Sequence, residues 1–240
     1  MAKGLFSAGA ALICSIFPEL QRVMKALGAT DEDLNVFNED DGKMVIAEMA
    51  VAAVKAIKII RLVKKQVAEW TAFYVDLLGE PVDFTNLWIP PKPEGLDRLI
   101  IVKQGMTPSK LFGFCLAKFL AWKYWDDLDC ITSDRKADHD YAIWVRDRVE
   151  ADEELQNRSA ENLRESGVVG ITLEERFLYE LKYFKETGKH LDIVNVTLCA
   201  GSHGPGGRMV RVRWRGDGLG ASWSYPQDAY PCLRARAVVS

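Results

Sequence analysis

Five arginines near the end of the chain have the residue type and the spacing for anion binding. They are Arg211, Arg213, Arg215, Arg234 and Arg236. In a β-strand every second side chain lies on the same face, about 6.6 Å from the next. Guanidinium groups at that spacing suit the phosphates of a nucleic acid or the charges of another polyanion. The sequence therefore indicates a candidate binding surface along "RMVRVRWRG" and the final segment.

Two alternatives explain the same arginines without a ligand: an open, solvated strand face, or pairing with acidic residues elsewhere in the chain. Residues 126–192 hold 18 acidic and 10 basic side chains, whereas residues 200–240 hold 2 acidic and 6 basic ones. An acidic middle and a basic end favour intramolecular pairing. Three aromatic residues alternate with polar neighbours in the same strands and are expected to face the core: Trp214, Trp223 and Tyr225.

The loop "DDLDCITSD" carries carboxylates that suit acid–base chemistry or Mg²⁺ binding. These are Asp126, Asp127, Asp129 and Asp134. Paired carboxylates that converge in a cleft share a proton or hold a divalent cation. A run of charge is more often a solvated surface, so an enzyme on this loop requires that the side chains converge.

The histidines and cysteines do not form a metal or nucleophile pattern. His190, Cys199 and His203 lie within fourteen residues, but a strand between the first two would hold them roughly 30 Å apart. Cys199 or Ser202 could act as a nucleophile with His203 as base, yet no GxSxG motif accompanies them. "GSHGPGG" leads into a strand and not into a helix, which argues against a phosphate-binding loop. We therefore expect no metal site and no cofactor.

The elements that must position these residues begin with a helical region over residues 1–79. Within it, the segment from Lys43 to Leu78 contains no Pro and no internal Gly, and its apolar residues recur every three or four positions, from Ile46 through Ile57 and Ile60 to Tyr74. That spacing predicts one helix with an apolar stripe, roughly 54 Å long. A helix of that length invites self-association or a protein partner.

Residues 80–95 contain four of the nine prolines and are predicted to be a linker. Residues 96–240 are predicted to form an α+β domain. A helix with Thr107 as cap is expected to continue through Phe119 and Trp122, and a second, charged helix is expected over 150–166. Thr172 and Glu175 have the spacing of a capping box that begins another helix, which Gly188 ends.

The last fifty residues change to a period of two, which predicts an antiparallel sheet. "LDIVNVTL" is one strand, and "GDG" joins "RMVRVRWRG" to "LGASWSY" as a hairpin. The predicted fold is α+β, with a helical N-terminal region followed by helices packed on a small antiparallel sheet. No apolar run of eighteen residues occurs, so we expect no membrane span.

From about Leu99 to Ser240 the chain resembles a group of uncharacterised bacterial hypothetical proteins. The phrases that carry this resemblance are "YAIWVRDRVEADEEL", "GITLEERFLYELKYFKETGKHLD" and "VTLCAGS". The resemblance implies no function. The chain has "HGPGG" after "GS", where the group is expected to have an aromatic residue and an Asp.

A shorter segment, residues 19–48, resembles an EF-hand. "ELQRVMKALG" is similar to the first helix of such a lobe, and "FNEDDGKMVIAEM" is similar to its calcium loop. A working loop needs oxygen ligands at positions 1, 3 and 5, Gly at 6 and Glu at 12. With Gly42 and Glu48 at the last two of these, Phe37 occupies position 1 and cannot ligate. We expect an acidic turn that caps the long helix.

Five cysteines at wide spacing, an odd number without a CxxC motif, predict free thiols and a cytoplasmic protein. A net charge of −3 implies no partner by itself. Because no catalytic set converges in the sequence, the leading hypothesis is a non-enzymatic interaction or assembly module. The alternatives are nucleic-acid or polyanion binding through the arginines, and a carboxylate- or metal-dependent enzyme on the loop 126–134.

Overall fold

The computed structural model describes residues 18–35, 40–216 and 218–240. Its first helices are α1 over residues 18–26, α2 over Asp31–Asn35 and α3 over Asp40–Leu78. The predicted long helix is confirmed, and it is continuous for 39 residues. Of the EF-hand-like loop, 40–48 are helical and 37–39 lie outside the described residues, as does Cys14.

The chain divides inside α3 into two compact units, residues 1–61 and 62–240. In the second unit, α3 packs against the first strand, β1 (Arg98–Val102). The indole of Trp70 donates to the carbonyl of Leu99 at 2.8 Å, and the hydroxyl of Tyr74 donates to that of Ile101 at 2.9 Å. These bonds satisfy two buried polar side chains and hold the second half of α3 in register with β1.

The proline-rich stretch 80–95 contributes to the core of the second unit. Phe84 is buried, and the carbonyl of Pro90 accepts from the indole of Trp144 at 2.9 Å. Trp144 lies in β4 (Tyr141–Val145), which pairs antiparallel with β1 as a separate two-stranded sheet.

A six-stranded sheet forms the rest of the second unit. Its strands are β2 (Ala121–Lys123), β3 (Thr132–Ser133), β5 (Val196–His203), β6 (Met209–Arg215), β7 (Gly218–Ser224) and β8 (Leu233–Ala235). The order is β2-β7-β6-β5-β3, with β8 also beside β5. The predicted α+β fold is confirmed, with β6, β7, β5 and β3 antiparallel. The short strands β2 and β8 join in parallel.

Three further helices complete the unit: α4 (Pro108–Lys118), α5 (Ala160–Glu165) and α6 (Leu173–Thr187). The predicted capping box is present in α6, where Thr172 and Glu175 satisfy each other's backbone amides. Gly188 ends the helix with a φ of 66°, a conformation that glycine adopts without strain.

Three element boundaries differ from the sequence prediction. Helix α4 ends at Lys118, so Trp122 belongs to a strand. The charged segment 150–166 forms a short 3₁₀ turn and the six-residue α5 instead of one helix. Strand β5 begins at Val196, because 191–195 form a bend stabilised by the carboxylate of Glu150, which accepts from three successive amides.

The sheet is covered differently on its two faces. One face packs against α4 and α6, and Val210, Val212, Leu219 and Ala221 are fully buried there. The other face carries a smaller apolar cluster of Leu198, Met209, Leu233 and Ala235 with residues of α5. Leu198 of β5, Leu233 and Ala235 of β8 and Met209 of β6 are therefore covered on this side, whereas the rest of the second face of β6 and that of β7 and β2 lie beyond the cluster.

A buried charge network joins α6 to the sheet. Asp192 accepts from Arg176 and from Arg236, and Arg176 also donates to Glu180. Burial would raise the pKa of Asp192, but the two arginines outweigh it and hold that pKa below its ordinary value. Asp192 has a φ of 54°, in the left-handed region. No helix within the described residues is long and apolar enough to cross a membrane.

Candidate ligand-binding surface

The open part of the sheet carries arginines and aromatic residues on one face. In the register of β6 and β7, Arg211 lies opposite Ser222 and Arg213 lies opposite Gly220. Trp122 of β2, the strand on the other edge of β7, also lies opposite Gly220. Because paired residues on adjacent strands point to the same face, these side chains share the uncovered side of the sheet.

This surface contains an open cavity of about 580 Å³. We name it the arginine–aromatic face and define it by six of its lining residues: Trp122, Tyr124, Arg211, Arg213, Trp223 and Tyr225. Trp122, Tyr124 and Tyr225 are each about half exposed, at 47%, 54% and 50%. Several large aromatic side chains exposed together often mark a binding surface, whereas single exposed ones do not.

The aromatic rings hold one another in place. Tyr124 and Tyr225 both meet the ring of Trp223 edge to face, with centroids 5.8 and 5.1 Å away. The guanidinium of Arg208 lies 4.3 Å from the centroid of Trp223 and donates to the hydroxyl of Tyr124. This cation–π contact holds a positive charge against the rings of Trp223 and Tyr124.

The two arginines of β6 differ in how they are held. Arg211 donates to the hydroxyl of Ser222 at 2.9 Å and to that of Tyr230 at 2.7 Å, so its guanidinium is fixed by neutral partners and keeps its charge unpaired. Arg213 also lines the cavity, and within the described residues neither it nor Arg215 pairs with a carboxylate. Asp228 is the acidic residue that lines the cavity.

Gly220 allows Trp122 to lie against the sheet. A Cβ atom at this position would approach Cζ2 of Trp122 to 2.3 Å, closer than any real contact. Ser224 lines the same cavity, is 2% exposed, and its hydroxyl has no partner within the described residues. A buried hydroxyl without a partner is uncommon and leaves one donor and acceptor for a ligand.

The other two candidate arginines lie elsewhere. Arg236 is 1% exposed and donates to Asp192 and to the carbonyls of Arg148 and Val149. Arg234 donates to the side chain of Gln156. Pairing with an acidic residue thus accounts for Arg236, whereas Arg234 has neutral partners, and neither arginine is part of the arginine–aromatic face.

The acidic loop caps a helix. The carboxylate of Asp129 accepts from the amide of Ser109 and the hydroxyl of Thr107, at the start of α4. Asp127 accepts from the Asp129 amide and the Ser109 hydroxyl, and these bonds hold the pKa of Asp127 below its ordinary value. Both carboxylates therefore serve local structure.

The remaining acidic candidates do not converge with them. Asp126 contributes its carbonyl to Lys123, and Asp134 lines a different cavity, beside Trp88 and Tyr141. Among the described residues, no group of three or more His, Cys, Asp or Glu side chains could hold a metal ion.

The histidine and cysteine candidates are also separated. His190 stacks on the indole of Trp214, with centroids 3.3 Å apart, and its Nδ1 lies 2.9 Å from the carboxylate of Glu180. Cys199 is fully buried, which raises the pKa of its thiol. Trp214 thus packs on the core side, as its parity predicts.

Sequence reasoning missed three aromatic residues of the surface. Trp122 and Tyr124 were expected in or just after a helix, and parity placed Tyr225 in the core. Trp223 pairs with Val210, so the register agrees with its predicted parity; it is partly buried and also lines the cavity. The expectation for Tyr225 is wrong because β7 ends at Ser224 and the alternation ends with it. One signal was present: in "AWKY" (121–124) large aromatics alternate with smaller or charged residues, which is a strand pattern.

Fold and surface together describe an α+β protein with an open cationic and aromatic sheet face. Comparison of the chain with protein-family models, curated proteins and solved structures gave no match.

Proposed function

We propose that the protein is a non-enzymatic binding module that takes single-stranded nucleic acid on the arginine–aromatic face. The observation that carries the proposal is the presence of exposed aromatic rings and guanidinium groups around one cavity. Bases stack on aromatic rings, and arginines bind the phosphates between them. An intact duplex offers its bases no free faces, so the exposed rings favour a single strand.

The charge of the surface supports the same ligand. Arg211 and Arg213 line a cavity that has Asp228 as its acidic residue, and Arg208 contacts the rings of Trp223 and Tyr124. The chain as a whole is slightly acidic, with a net charge of −3, so the positive charge is local. Local positive charge on an acidic protein directs an anionic strand to one site instead of to the whole surface.

Binding of a fluorescently labelled mixed-sequence single strand, measured by anisotropy over a series of salt concentrations, tests the proposal. Arg211→Ala/Arg213→Ala is expected to weaken binding and to reduce the slope of log affinity against log salt by about 1.4, or about 0.7 per lost phosphate contact. Trp122→Ala is expected to weaken binding roughly 5- to 150-fold with the slope unchanged, because it removes stacking and not charge.

Lys189→Ala is the matched control. Lys189 is exposed and follows α6, which packs on the opposite face of the sheet, so the loss of one positive charge there is expected to leave affinity unchanged. Equal affinities for wild-type protein and the double arginine variant would overturn the proposal. Binding of a sulfated polysaccharide without binding of the single strand would overturn the choice of ligand.

A second candidate function, self-association through α3, rests on a separate observation. The predicted apolar stripe of this helix is buried in the second unit, where Trp70 and Tyr74 are in the core. In the first unit the same stripe is exposed at Ile46, Ile57 and Ile60, which are each about half accessible. An exposed helical stripe of isoleucines favours packing against a second copy of the same helix.

Sedimentation velocity over a range of protein concentrations tests this assembly. Wild-type protein is expected to sediment as an oligomer, and Ile57→Glu/Ile60→Glu as a monomer, because the substitutions place charge in the contact. Lys58→Glu alters charge on the opposite side of the same helix and is the control. A wild-type protein that stays monomeric at high concentration would rule out this candidate.

A further inference from the structure

A second cavity, of about 330 Å³, lies where the starts of α4 and α6 meet strand β3. We name it the Glu174 cavity and define it by Met106, Ile131, Ser133, Lys136, Asp138 and Glu174. It has an apolar wall, from Met106 and Ile131, and a polar end, from Ser133 and Glu174. It shares no lining residue with the arginine–aromatic face.

Glu174 is bound through a chain of hydroxyl groups. Ser133 donates to Oε2 of Glu174 at 2.7 Å, and the hydroxyls of Ser133 and Ser202 are 2.7 Å apart. The amide of Leu173 donates to the Ser202 hydroxyl at 2.9 Å. Since Ser133 gives its proton to Glu174, Ser202 donates to Ser133, and the chain runs from the start of α6 to the carboxylate.

Glu174 differs from every other buried carboxylate of the described residues because it has no cationic partner. It is 5% exposed, and its hydrogen-bond donors are neutral: the Ser133 hydroxyl, its own backbone amide and the side chain of Thr172. The others are each paired: Asp152 with Arg146, Glu175 with Arg135, Glu180 with Arg176, and Asp192 with Arg176 and Arg236. A buried carboxylate is ordinarily paired with a counter-charge.

We propose that the Glu174 cavity binds a small organic cation whose ammonium group donates to the Glu174 carboxylate. The ammonium supplies the missing counter-charge, and Met106 and Ile131 contact an apolar body. Asp129 and Asp138 also line the cavity, and Lys136 is the one basic residue in the lining, so the charge of the cavity favours a cation. Asp129 is already engaged by α4, which leaves too few free oxygens for a metal ion that takes six or more.

Burial raises the pKa of the Glu174 carboxyl, while the hydrogen bond from Ser133 lowers it. An ammonium group at hydrogen-bond distance opposes the effect of burial and stabilises the ionised form. Glu175, one residue further on, receives two bonds from Arg135 and one from Tyr141 and is already satisfied. The same helix turn therefore holds one carboxylate used by the fold and one left for a ligand.

Titration of the full chain with n-butylammonium chloride, followed by amide chemical shifts, tests the proposal. We expect saturable shifts at Ser133 and Lys136, and at least tenfold weaker binding in Glu174→Gln, which keeps the shape and accepts from Ser133. 1-Butanol has the same apolar body without the charge and is expected to bind at least tenfold more weakly to the wild type.

Asp138→Asn removes one charge from the lining without altering the Glu174–Ser133 bond and is expected to weaken ammonium binding severalfold. It keeps the test decisive if Glu174→Gln does not fold. Asp228→Asn, on the arginine–aromatic face, is the control and is expected to have no effect. Equal binding of the amine and the alcohol, equal binding by wild-type and Glu174→Gln, or no binding of the amine to wild-type protein would each overturn the proposal.

Discussion

Glu174 and Glu175 are neighbours in the first turn of α6, yet they have different surroundings. Arg135 and Tyr141 bind the second carboxylate, whereas only neutral groups, the Ser133 hydroxyl among them, bind the first. Both sit where the helix dipole favours negative charge. The two residues differ in that Glu175 has a cationic partner and Glu174 has none.

The first prediction concerns Glu174→Gln. Because the pKa of Glu174 is raised in the folded protein, the native state disfavours ionisation and loses stability as pH rises above the ordinary pKa of a glutamate. The variant lacks this loss, so its free energy of unfolding at pH 7 is expected to exceed that of the wild type by an amount on the order of 0.5 kcal/mol. The gain should vanish below about pH 4. Urea unfolding at both pH values measures it, and a variant less stable at pH 7 would contradict it.

The second prediction has the opposite sign and concerns Asp192→Asn. Asparagine tolerates the left-handed φ of 54°, so the substitution tests charge and not backbone strain. It leaves Arg176 and Arg236 buried without their shared carboxylate, at a cost of about 3–5 kcal/mol at pH 7. Because the pKa of Asp192 is lowered on folding, the difference from wild type should shrink as pH falls below about 3.9.

Urea unfolding at pH 7 and at acid pH measures this effect as well. Glu165→Gln is the control, because Glu165 is exposed on α5 and its loss of charge is expected to change the free energy of unfolding by less than about 0.5 kcal/mol. A small cost for Asp192→Asn would show that the network carries little of the stability.

At the scale of elements, strands β2 and β7 depend on the absence of a side chain at Gly220. The third prediction is that Gly220→Ala displaces the indole of Trp122, because the new Cβ would lie 2.3 Å from it. The ring is half exposed and can turn away, so stability should change by about 1 kcal/mol or less. Affinity for a single strand should fall roughly 5- to 150-fold, as for Trp122→Ala.

Gly113→Ala is the matched control for Gly220→Ala. An added Cβ at Gly113 meets no atom within 4 Å, and the residue lies inside α4. It is expected to stabilise the protein by up to about 1 kcal/mol and to leave binding unchanged. If Gly220→Ala binds the single strand as the wild type does, Trp122 does not stack on a base.

The elements that could be predicted from sequence are those with a local physical signal. The capping box of α6, the long α3 and the alternation in β6 each arise from neighbours in the chain. Strand β2 could not be predicted in the same way, because its three residues are ordered by pairing with β7, almost one hundred positions later. Tertiary pairing overrides the helical tendency of "FLAWKYW".

The candidate surface was predictable only in part for the same reason. The spacing of Arg211 and Arg213 is local, so the sequence identified them. The different position of Arg236 has no local signal, because Arg236 is buried by contacts with Asp192 and Val149, which are distant in the sequence. The Glu174 cavity had no sequence signal, because Ser133 and Glu174 lie 41 positions apart.

At the scale of the molecule, the fold divides the arginines of the basic C-terminal segment into two groups. Part of the basic end pairs with the acidic middle, through Arg236 and Asp192. The rest, with Arg211 and Arg213, remains on an uncovered face. A net charge near zero therefore conceals a surface that is locally positive.

The fourth prediction is that a fragment of residues 62–240 folds without the first unit. It retains Trp70 and Tyr74, which anchor α3 to β1, and both cavities. We expect a cooperative thermal transition by circular dichroism and the single-strand affinity of the full chain. A broad, non-cooperative transition would show that the second unit needs residues before Leu62.

The burial of the thiols has a practical consequence for labelling. Burial raises the pKa of Cys115 and Cys199 and keeps them as unreactive thiols, whereas Cys130 is exposed. Cys130 lies between Asp129 and Ile131, both of which line the Glu174 cavity. Cys232 is partly buried, so among the four cysteines of the described residues a maleimide dye added at limiting stoichiometry is expected to favour Cys130, at the edge of that cavity, where its emission would report occupancy.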